Sequence, residues 1–280
     1  MRNLFTHHTF EIPESDFTLW FFSDMHFGTT AFDIDRFKWF LKKADESKNP
    51  YYLGVGDYTD FAAMSDNKKI KKADLHESTE ERIDRMVQSD NAKIADLCKQ
   101  MRGRLIGMIG GNHQYTFTTG KLSDEDLCER LQTKYLGWLS IIKLSLKIRN
   151  GFAVSCYIFA CHGQGGGKLL GTSINKIDDM TRIINNADIY VMGHDHKRSA
   201  TPKTVLSVYD NSGNFFLKQK RQYLVRSGSF QKSYEKDSSG FAQGRLMQPA
   251  DLGAVRLNIG THRDRKGGFD RIILDIEAVI

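Results

Sequence analysis

Short apolar runs recur along the first two thirds of the chain, and each of them ends at a glycine or a polar residue. The runs are rich in aromatic and β-branched side chains and are shorter than most helices, which is typical of buried β-strands. They cover residues 17–22, 51–55, 105–109, 152–160 and 189–192. This pattern predicts five strands, each closed by a turn.

Segments with helical periodicity fill the intervals between these strands. They follow residues that favour a helix N-terminus, namely Asp33, Ser78, Ser123 and Ser173. Ser78 and Glu81 also have the spacing of a capping box. The alternation of strands and helices predicts an α/β fold.

Beyond residue 200 the pattern changes to short strands without intervening helices. These strands are predicted at residues 204–209, 215–217, 222–226, 253–259 and 269–274. A run of strands of this kind predicts that the C-terminal part of the chain forms a second sheet.

The length and composition fit one large α/β domain, or one domain with an appendage. The chain has 280 residues, of which 40% are apolar, and this is enough for a sizeable core. No run of about 18 apolar residues occurs, which argues against a transmembrane helix. The N-terminal residues lack the apolar core of a signal peptide, so we expect a cytoplasmic location.

The cysteines indicate the redox compartment of the protein, and the net charge says little about its partners. Cys98, Cys128, Cys156 and Cys161 show no paired spacing and lie in apolar contexts, which indicates buried free thiols in a reducing compartment. The net charge of +6 favours a polyanionic partner only slightly, because many basic proteins bind no polyanion.

Polar motifs follow closely after the predicted strands of the first two thirds. They are Asp24-Met-His26, Gly56-Asp57-Tyr-Thr-Asp60, Gly111-Asn112-His113, His162-Gly163 and Gly193-His194-Asp-His196. Open α/β sheets place their sites at the carboxyl ends of strands, so we expect these side chains to converge. An extended backbone would point both side chains of the Asp24–His26 pair, and of the His194–His196 pair, to one side.

The residue types in these motifs are those of a metal site. A mixed set of Asp, Asn and His without cysteine suits Mn, Fe or Zn, and it offers more ligands than one ion needs. The set therefore predicts a two-metal site of the kind that activates water against a phosphorus centre. The alternative is that the histidines are core or turn residues satisfied by hydrogen bonds.

In this order the motifs resemble those of the calcineurin-like metallophosphoesterase superfamily. That pattern reads D-x-H, G-D-x-x-(D/N/H), G-N-H-(D/E), H and G-H-x-H, and the matching positions span residues 24–196. The resemblance implies a four-layer α/β/β/α sandwich of two facing mixed sheets flanked by helices. We expect residues 1–280 to form a single domain with this fold. The first motif, Asp24-Met-His-Phe-Gly28, is similar to that of the superfamily's nucleases and small phosphodiesterases.

The resemblance also implies two divalent metal ions and the residues that hold them. We expect manganese first, with iron, zinc or magnesium as alternatives. The implied ligands are Asp24, His26 and His196 for one ion and Asn112, His162 and His194 for the other, with Asp57 as the bridge. A bridging carboxylate suits two-metal hydrolysis because it offers two oxygens.

Two further residues take catalytic roles by the same resemblance. His113 would protonate the leaving oxygen or stabilise the transition state, and Asp60 would orient its ring and favour the imidazolium. The alternative for Asp60 is a turn or helix cap.

The departures from the family pattern bear on the subgroup. Phosphoprotein phosphatases have arginines where this chain has Phe61 and Gly110, and repair-type exonucleases usually have histidine where Asp60 stands. Gln114 replaces an acidic residue, so it can form hydrogen bonds but carries no charge. These differences weaken a direct match to either subgroup.

Basic and aromatic residues outside the motifs do not decide whether the substrate is a nucleic acid. We interpret residues 62–104 as a helical insertion, lysine-rich at Lys68, Lys69, Lys71 and Lys72, which either contacts substrate or forms a solvated face. The Gly-rich run from Gly163 to Lys168 either binds an anion or is a plain turn. Aromatic residues between later basic clusters are Tyr209, Phe215, Phe216, Tyr223, Phe230 and Tyr234, for which strand core is favoured over nucleic-acid contact.

Together these features favour a dinuclear metal-dependent phosphodiesterase. The more specific form of this hypothesis is a nuclease that acts on DNA. The second hypothesis is a phosphomonoesterase or a phosphodiesterase for small nucleotides. The third is a non-catalytic scaffold with the same fold. The expected partner is a phosphate-ester substrate, with nucleic acid as the specific candidate and no membrane, and the oligomeric state is left open.

Overall fold

The computed structural model describes residues 6–60, 75–147, 153–164, 167, 169–211, 214–234, 248–264 and 271–280. Within them, the strands are β1 (Thr6–Ile12), β2 (Phe17–Phe22), β3 (Pro50–Val55), β4 (Leu105–Ile109), β5 (Leu139–Lys147), β6 (Ala153–Cys161), β7 (Ile189–Met192), β8 (Arg198–Asn211), β9 (Asn214–Ser227), β10 (Val255–Asp264) and β11 (Arg271–Val279). The helices are α1 (Ile34–Asp45), α2 (Glu77–Leu97), α3 (Ser123–Leu131) and α4 (Leu170–Ile183).

The strands form two mixed sheets. The six-stranded sheet has the order β1-β5-β6-β7-β9-β8, and the five-stranded sheet has the order β11-β10-β2-β3-β4. In the smaller sheet β2, β3 and β4 are parallel, whereas β10 and β11 are antiparallel to their neighbours. In the larger sheet β6, β7 and β9 are parallel, and β8 returns antiparallel to β9.

Apolar side chains bind the sheets and helices into four layers. The central core joins the inner faces of both sheets, for example Leu19 and Val55 of the smaller sheet with Ile158 and Val191 of the larger one. A second core packs α1, α2 and α3 on the outer face of the smaller sheet, and a third packs α4 on the larger sheet. The predicted α/β/β/α sandwich is confirmed.

The five strands predicted before the motifs are present, but two strands were missed and one grouping was wrong. β1 and β5 were not predicted. The strands after residue 200 do not form a separate sheet, because β8 and β9 extend the larger sheet and β10 and β11 extend the smaller one. Apolar spacing identifies a strand, but its partners depend on which buried faces it meets across the core.

The helix starts agree in part with the predicted N-terminal residues. The Asp33 side chain accepts from the backbone N–H of Arg36 at 2.8 Å, as predicted. The capping box at Ser78 is wrong, because the ring of His76 caps α2 by accepting from the Ser78 N–H. α4 begins ahead of Ser173, whose buried side chain instead donates a hydrogen bond to Asp195.

Several predictions outside the motifs have mixed outcomes. All four cysteines are free, and all but Cys161 are buried. Tyr223 and Phe230 are core residues, whereas Phe215 and Tyr234 are exposed. The side chains of Tyr209 and Phe216, the four lysines at Lys68, Lys69, Lys71 and Lys72, and Lys168 lie outside the described part of the chain. None of the described helices has the length and apolar content that a membrane crossing requires.

The single domain with an insertion over residues 62–104 stays a prediction. Of that segment, α2 is helical and residues 61–74 lie outside the described residues.

Candidate metal centre

The motifs meet at one edge of the sandwich, in the loops that follow β2, β3, β4, β6 and β7. Parallel neighbours within each sheet send their carboxyl ends to the same edge, so the loops approach each other. Backbone hydrogen bonds join them: the Asp24 N–H donates to the Gly56 carbonyl at 3.0 Å, and the Gly193 N–H donates to the His162 carbonyl at 3.0 Å. The convergence predicted from strand ends is therefore present.

Asp24, His26 and His196 form a first cluster of candidate ligand atoms. The His196 Nε2 atom lies 3.3 Å from Asp24 Oδ1 and 3.2 Å from His26 Nε2. Asp24 Oδ2 accepts from the Ser23 hydroxyl and the His194 N–H, while Oδ1 is buried without a hydrogen-bond partner among the described residues. A buried carboxylate oxygen in that state, facing two imidazole nitrogens, fits a cation.

Asn112, His162 and His194 form a second cluster beside the first. The Asn112 Oδ1 atom lies 2.8 Å from His194 Nδ1 and 3.0 Å from His162 Nε2, and the two ring nitrogens are 3.3 Å apart. One amide oxygen and two imidazole nitrogens thus point at a common volume. These atom types suit a borderline transition-metal ion.

Asp57 lies between the two clusters. Its Oδ2 atom is 3.0 Å from His162 Nε2 of the second cluster and 4.0 Å from His26 Nε2 of the first. Its Oδ1 atom accepts the backbone N–H of His113 at 3.0 Å, which fixes the carboxylate. This position agrees with a bridging role, and the ligand roles themselves stay predictions.

Asp60 holds two imidazole rings with its two oxygens. Oδ1 lies 2.9 Å from His113 Nδ1, as predicted, and Oδ2 lies 3.1 Å from His26 Nδ1, which was not predicted. The two rings stand edge to face, with centroids 4.7 Å apart. One carboxylate therefore orients both the candidate acid and a candidate metal ligand.

The backbone at the candidate ligands contradicts the predicted extended conformation. The φ angle is 49° at Asp24, 48° at His26, 53° at Asp57, 75° at His194 and 57° at His196. The side chains converge because the chain turns sharply after each strand, and His194 and His196 point into different clusters rather than to one side. Left-handed non-glycine residues are uncommon and concentrate at functional sites, where surrounding contacts hold them.

Hydrogen bonds behind the rings set which nitrogen faces the site. The Nδ1 atom of His162 lies 2.7 Å from the Val55 carbonyl, which can only accept, so the ring hydrogen sits there and Nε2 presents a lone pair. The contact of His26 Nδ1 with Asp60 acts in the same way. Outer hydrogen bonds of this kind are a regular feature of metal-ligating histidines.

Burial and neighbouring charges act in opposite directions on the pKa values of the candidate ligands. Burial lowers the pKa of His26, but hydrogen bonds to Asp24 and Asp60 outweigh it and raise the pKa to about 10. Burial also lowers the pKa of His162, but the charge of Asp57 raises it to about 9. For Asp57 burial raises the pKa, and the charge of His162 lowers it to about 2. Because ligation requires neutral imidazole, a divalent cation would compete with these protons.

Glycines permit the close approach of the motif loops. A Cβ atom on Gly56, whose φ is +96°, would lie 2.4 Å from His162 Nδ1, and one on Gly111 would lie 2.1 Å from the Asp57 nitrogen. Both distances are far below van der Waals contact, so these positions exclude other residues.

The structure also accounts for one departure from the phosphatase pattern. A Cβ atom on Gly110 would lie 2.4 Å from the Tyr135 hydroxyl, so Tyr135 occupies the space that a side chain at position 110 would need. The same hydroxyl lies 3.4 Å from the Gln114 side-chain oxygen. Phe61, the other departure, lies outside the described residues.

The donor set fits two metal ions, and it leads to a first testable prediction. Protein stripped with a chelator and then saturated with Mn²⁺ should contain two ions per chain, because the two clusters present different ligands and Asp57 lies between them. Elemental analysis and anomalous scattering measure the number and the position. A single ion at saturation, or ions held by other residues, would contradict the arrangement.

Supporting residues were missed by reasoning from the sequence. Ser23 donates to Asp24, and the buried ion pair of Asp195 with Arg226 lies directly behind the last motif. Asp195 had a signal in the sequence, because it stands between the two histidines of the last motif. Arg226 left one signal, since it is the charged residue that ends an otherwise mostly apolar strand segment.

No protein-family model and no curated protein matches the sequence. Among solved structures, vacuolar protein sorting 29 from Cryptosporidium parvum matches over 95% of this chain and 100% of that chain, at 11% identity and a TM-score of 0.37. A conserved uncharacterized protein from Streptococcus pneumoniae, described as a predicted phosphoesterase, matches over 94% and 99%, at 13% identity and a TM-score of 0.30. At these scores neither likeness bears on the function of this chain.

The family resemblance rests instead on the chain itself. The five motifs stand in the family's order, and the loops that carry them bring buried His and Asp side chains together between two facing sheets. In its layered fold and in the order and placing of its motifs, the chain resembles the calcineurin-like metallophosphoesterases.

Proposed function

We propose that this protein is a metal-dependent phosphoesterase that hydrolyses phosphodiester bonds. The observation that carries the proposal is the pair of ligand clusters on either side of Asp57, with the Asp60–His113 pair beside them. His113 lies outside both clusters, in a third His–Asp group with His26 and Asp60. A non-catalytic scaffold has no need for a histidine that a carboxylate orients beside the clusters.

The chain's residues divide the work of hydrolysis. Two divalent ions, when bound, supply an activated water and neutralise charge at phosphorus. Asp24, Asp57 and Asn112 would fix those ions together with the histidines of both clusters. His113 would give a proton from Nε2, the ring nitrogen not held by Asp60, to the leaving oxygen.

Asp60 is in the right charge state for this task. Burial raises the pKa of its carboxyl, but the hydrogen bonds with His113 and His26 outweigh burial and hold the pKa below the usual range. An ionised Asp60 accepts a hydrogen bond from Nδ1 of His113 and so holds the ring in one orientation.

A substrate panel tests the proposed activity. Purified protein is incubated with Mn²⁺ and chromogenic phosphate monoesters and diesters, single-stranded DNA, duplex DNA, RNA and small nucleotides. We expect diester hydrolysis that a chelator abolishes and that Mn²⁺ restores. Monoester hydrolysis alone would favour the phosphomonoesterase, and no turnover of any ester by metal-loaded protein would favour the scaffold.

We infer further that the diester substrate is a nucleic acid, with DNA as the first candidate, so that the enzyme would be a nuclease. Support comes from the net charge of +6 and from the nuclease-like first motif. The exposed Phe215, 76% accessible, adds an aromatic surface in the basic region of β9, and such surfaces stack on bases. Hydrolysis of a small nucleotide diester is the alternative.

Salt dependence separates these substrates, because each phosphate contact by lysine or arginine releases condensed counterions. We expect oligonucleotide affinity to fall steeply with salt. Replacing Lys68, Lys69, Lys71 and Lys72 with alanine should flatten the slope of log affinity against log salt. Turnover of a small nitrophenyl diester should be unchanged, since the metal centre is intact.

The matched control replaces four other lysines, which lie near the amino ends of β3 and β4, away from the metal centre. These are Lys42, Lys43, Lys48 and Lys99. The control should lower affinity less than the test variant does. No binding at about 50 mM salt, where such contacts are strong, or an equal effect of both sets, would refute the nucleic-acid inference and leave the phosphoesterase proposal standing.

A further inference from the structure

The loop that carries His194 and His196 supplies a candidate ligand to each of the two clusters from a left-handed backbone. Both residues have left-handed φ angles, 75° and 57°, yet their rings supply one nitrogen to each cluster. A backbone in this state reverts to commoner conformations unless its surroundings hold it. Something other than the histidines must therefore fix the loop.

Arg226 reaches the loop from behind, from the end of β9. Its Nη2 atom donates to the Gly193 carbonyl at 2.7 Å and lies 2.5 Å from Asp195 Oδ1, while its Nε atom donates to the same Oδ1 at 3.1 Å. Both side chains are 1% exposed. One guanidinium thus holds the residue before His194 and the residue between the two histidines.

Asp195 links the loop to two further parts of the chain. Its Oδ2 atom accepts from the hydroxyl of Ser173, a buried residue of α4. Its Oδ1 atom accepts the backbone N–H of Lys197 at 3.2 Å, which closes the loop on its other side. Strand β9, helix α4 and the loop are therefore joined through one carboxylate.

We propose that Arg226, Asp195 and Ser173 are positioning residues that set the geometry of both metal clusters through this one loop. We name these three residues the loop clamp. The inference rests on the proposed metal centre and goes beyond it, because it couples the two ions: His194 belongs to the second cluster and His196 to the first. Loosening the clamp lowers the affinity for both ions together.

A purely structural role for this ion pair accounts less well for the contacts. A buried ion pair contributes little to stability compared with apolar residues that fill the same space. Arg226 Nη1 is also buried without a hydrogen-bond partner among the described residues, which is a cost to the fold. The bonds that are made run to the backbone and carboxylate of the ligand loop.

The test measures metal binding and folding separately. Wild type, Arg226→Met, Arg226→Lys and Ser173→Ala are stripped with a chelator and titrated with Mn²⁺ by calorimetry, and the melting temperature of each metal-free protein is recorded. Arg226→Met should weaken binding of both ions by about 10–100-fold, the usual effect of losing an outer partner of a metal ligand. Arg226→Lys keeps the positive charge but not the planar guanidinium, so its Mn²⁺ affinities should lie between those of wild type and Arg226→Met.

A remote ion pair supplies the matched control. Arg104 lies 2.7 Å from Glu14 before β4, at the end of the sheet away from the metal centre. Arg104→Met should leave both Mn²⁺ affinities unchanged. If Arg226→Met does not fold, Ser173→Ala decides, since it removes a single hydrogen bond.

The outcomes distinguish this inference from the proposed function. If wild-type protein binds two ions and folded clamp variants bind both with unchanged affinity, the clamp alone is overturned. The same holds if the affinity for only one of the two ions falls. Wild-type protein that binds no Mn²⁺ would refute the metal centre itself. Weaker binding of both ions in clamp variants that are still folded at the titration temperature, as their metal-free melting curves show, supports the clamp.

Discussion

The Asp57→Asn variant is expected to lose metal-dependent turnover almost completely, by more than the factor of about 10²–10⁴ typical of a missing general acid. The substitution keeps the shape of the side chain and one carbonyl oxygen but removes the charge. Asp57 is 2% exposed and its Oδ2 atom faces both clusters. The loss would therefore affect both ions at once, and with them the activation of water.

Steady-state rates on a nitrophenyl diester and Mn²⁺ titrations measure this effect. The matched control is Asp275→Asn, the same chemical change at an exposed position on β11, which should leave both quantities unchanged. If Asp57→Asn kept two ions and a rate within about tenfold of wild type, less than the loss of an acid, the bridging role would be wrong.

The layered fold could be predicted from the sequence because the strands before the motifs are nearly all apolar. β2 and β4 have every residue buried, which an apolar run reports directly. β5 was missed although its buried residues alternate, with Ile142, Leu144 and Leu146 facing the core. An alternating strand carries its signal in a period of two rather than in a run.

β1 and the long hairpin show what the pattern could not report. Only Ile12 of β1 is buried, so this edge strand depends on pairing with β5 more than on its own composition. β8 and β9 were predicted as three separate strands, because exposed residues such as Lys218 and Gln219 interrupt the apolar pattern of one continuous ribbon. Backbone pairing continues where side-chain burial stops.

For the metal centre, the sequence indicated the residues but not the way in which they meet. Ordered motifs identified Asp24, Asp57 and His162, because few folds need such groups after successive strands. The left-handed backbone was not predictable, since aspartate and histidine adopt it only when surrounding contacts hold them. The contacts behind the last motif, with Arg226 the main example, join residues far apart in sequence and leave no local pattern.

The His113→Ala variant should show a defect that depends on the leaving group. His113 Nδ1 is held by Asp60 at 2.9 Å, and its Nε2 lies 3.9 Å from Asp57 Oδ2, so this nitrogen faces the site. On a diester with an alkyl leaving group we expect a loss of about 10²–10⁴-fold, the usual contribution of a general acid. On a nitrophenyl diester the loss should shrink, because that leaving oxygen hardly needs a proton.

Asp60→Asn extends the same test, since the amide can still hold the ring of His113 but removes the negative charge beside it. Its defect should show the same dependence on the leaving group as that of His113→Ala, while His262→Ala, at an exposed position on β10, should show none. The Mn²⁺ affinity of His113→Ala should stay close to that of wild type, because this ring belongs to neither of the two clusters around Asp57. Equal defects of His113→Ala on good and poor leaving groups would rule out the acid role. His113 would then act by stabilising charge on the phosphoryl oxygens, which is needed whatever group departs.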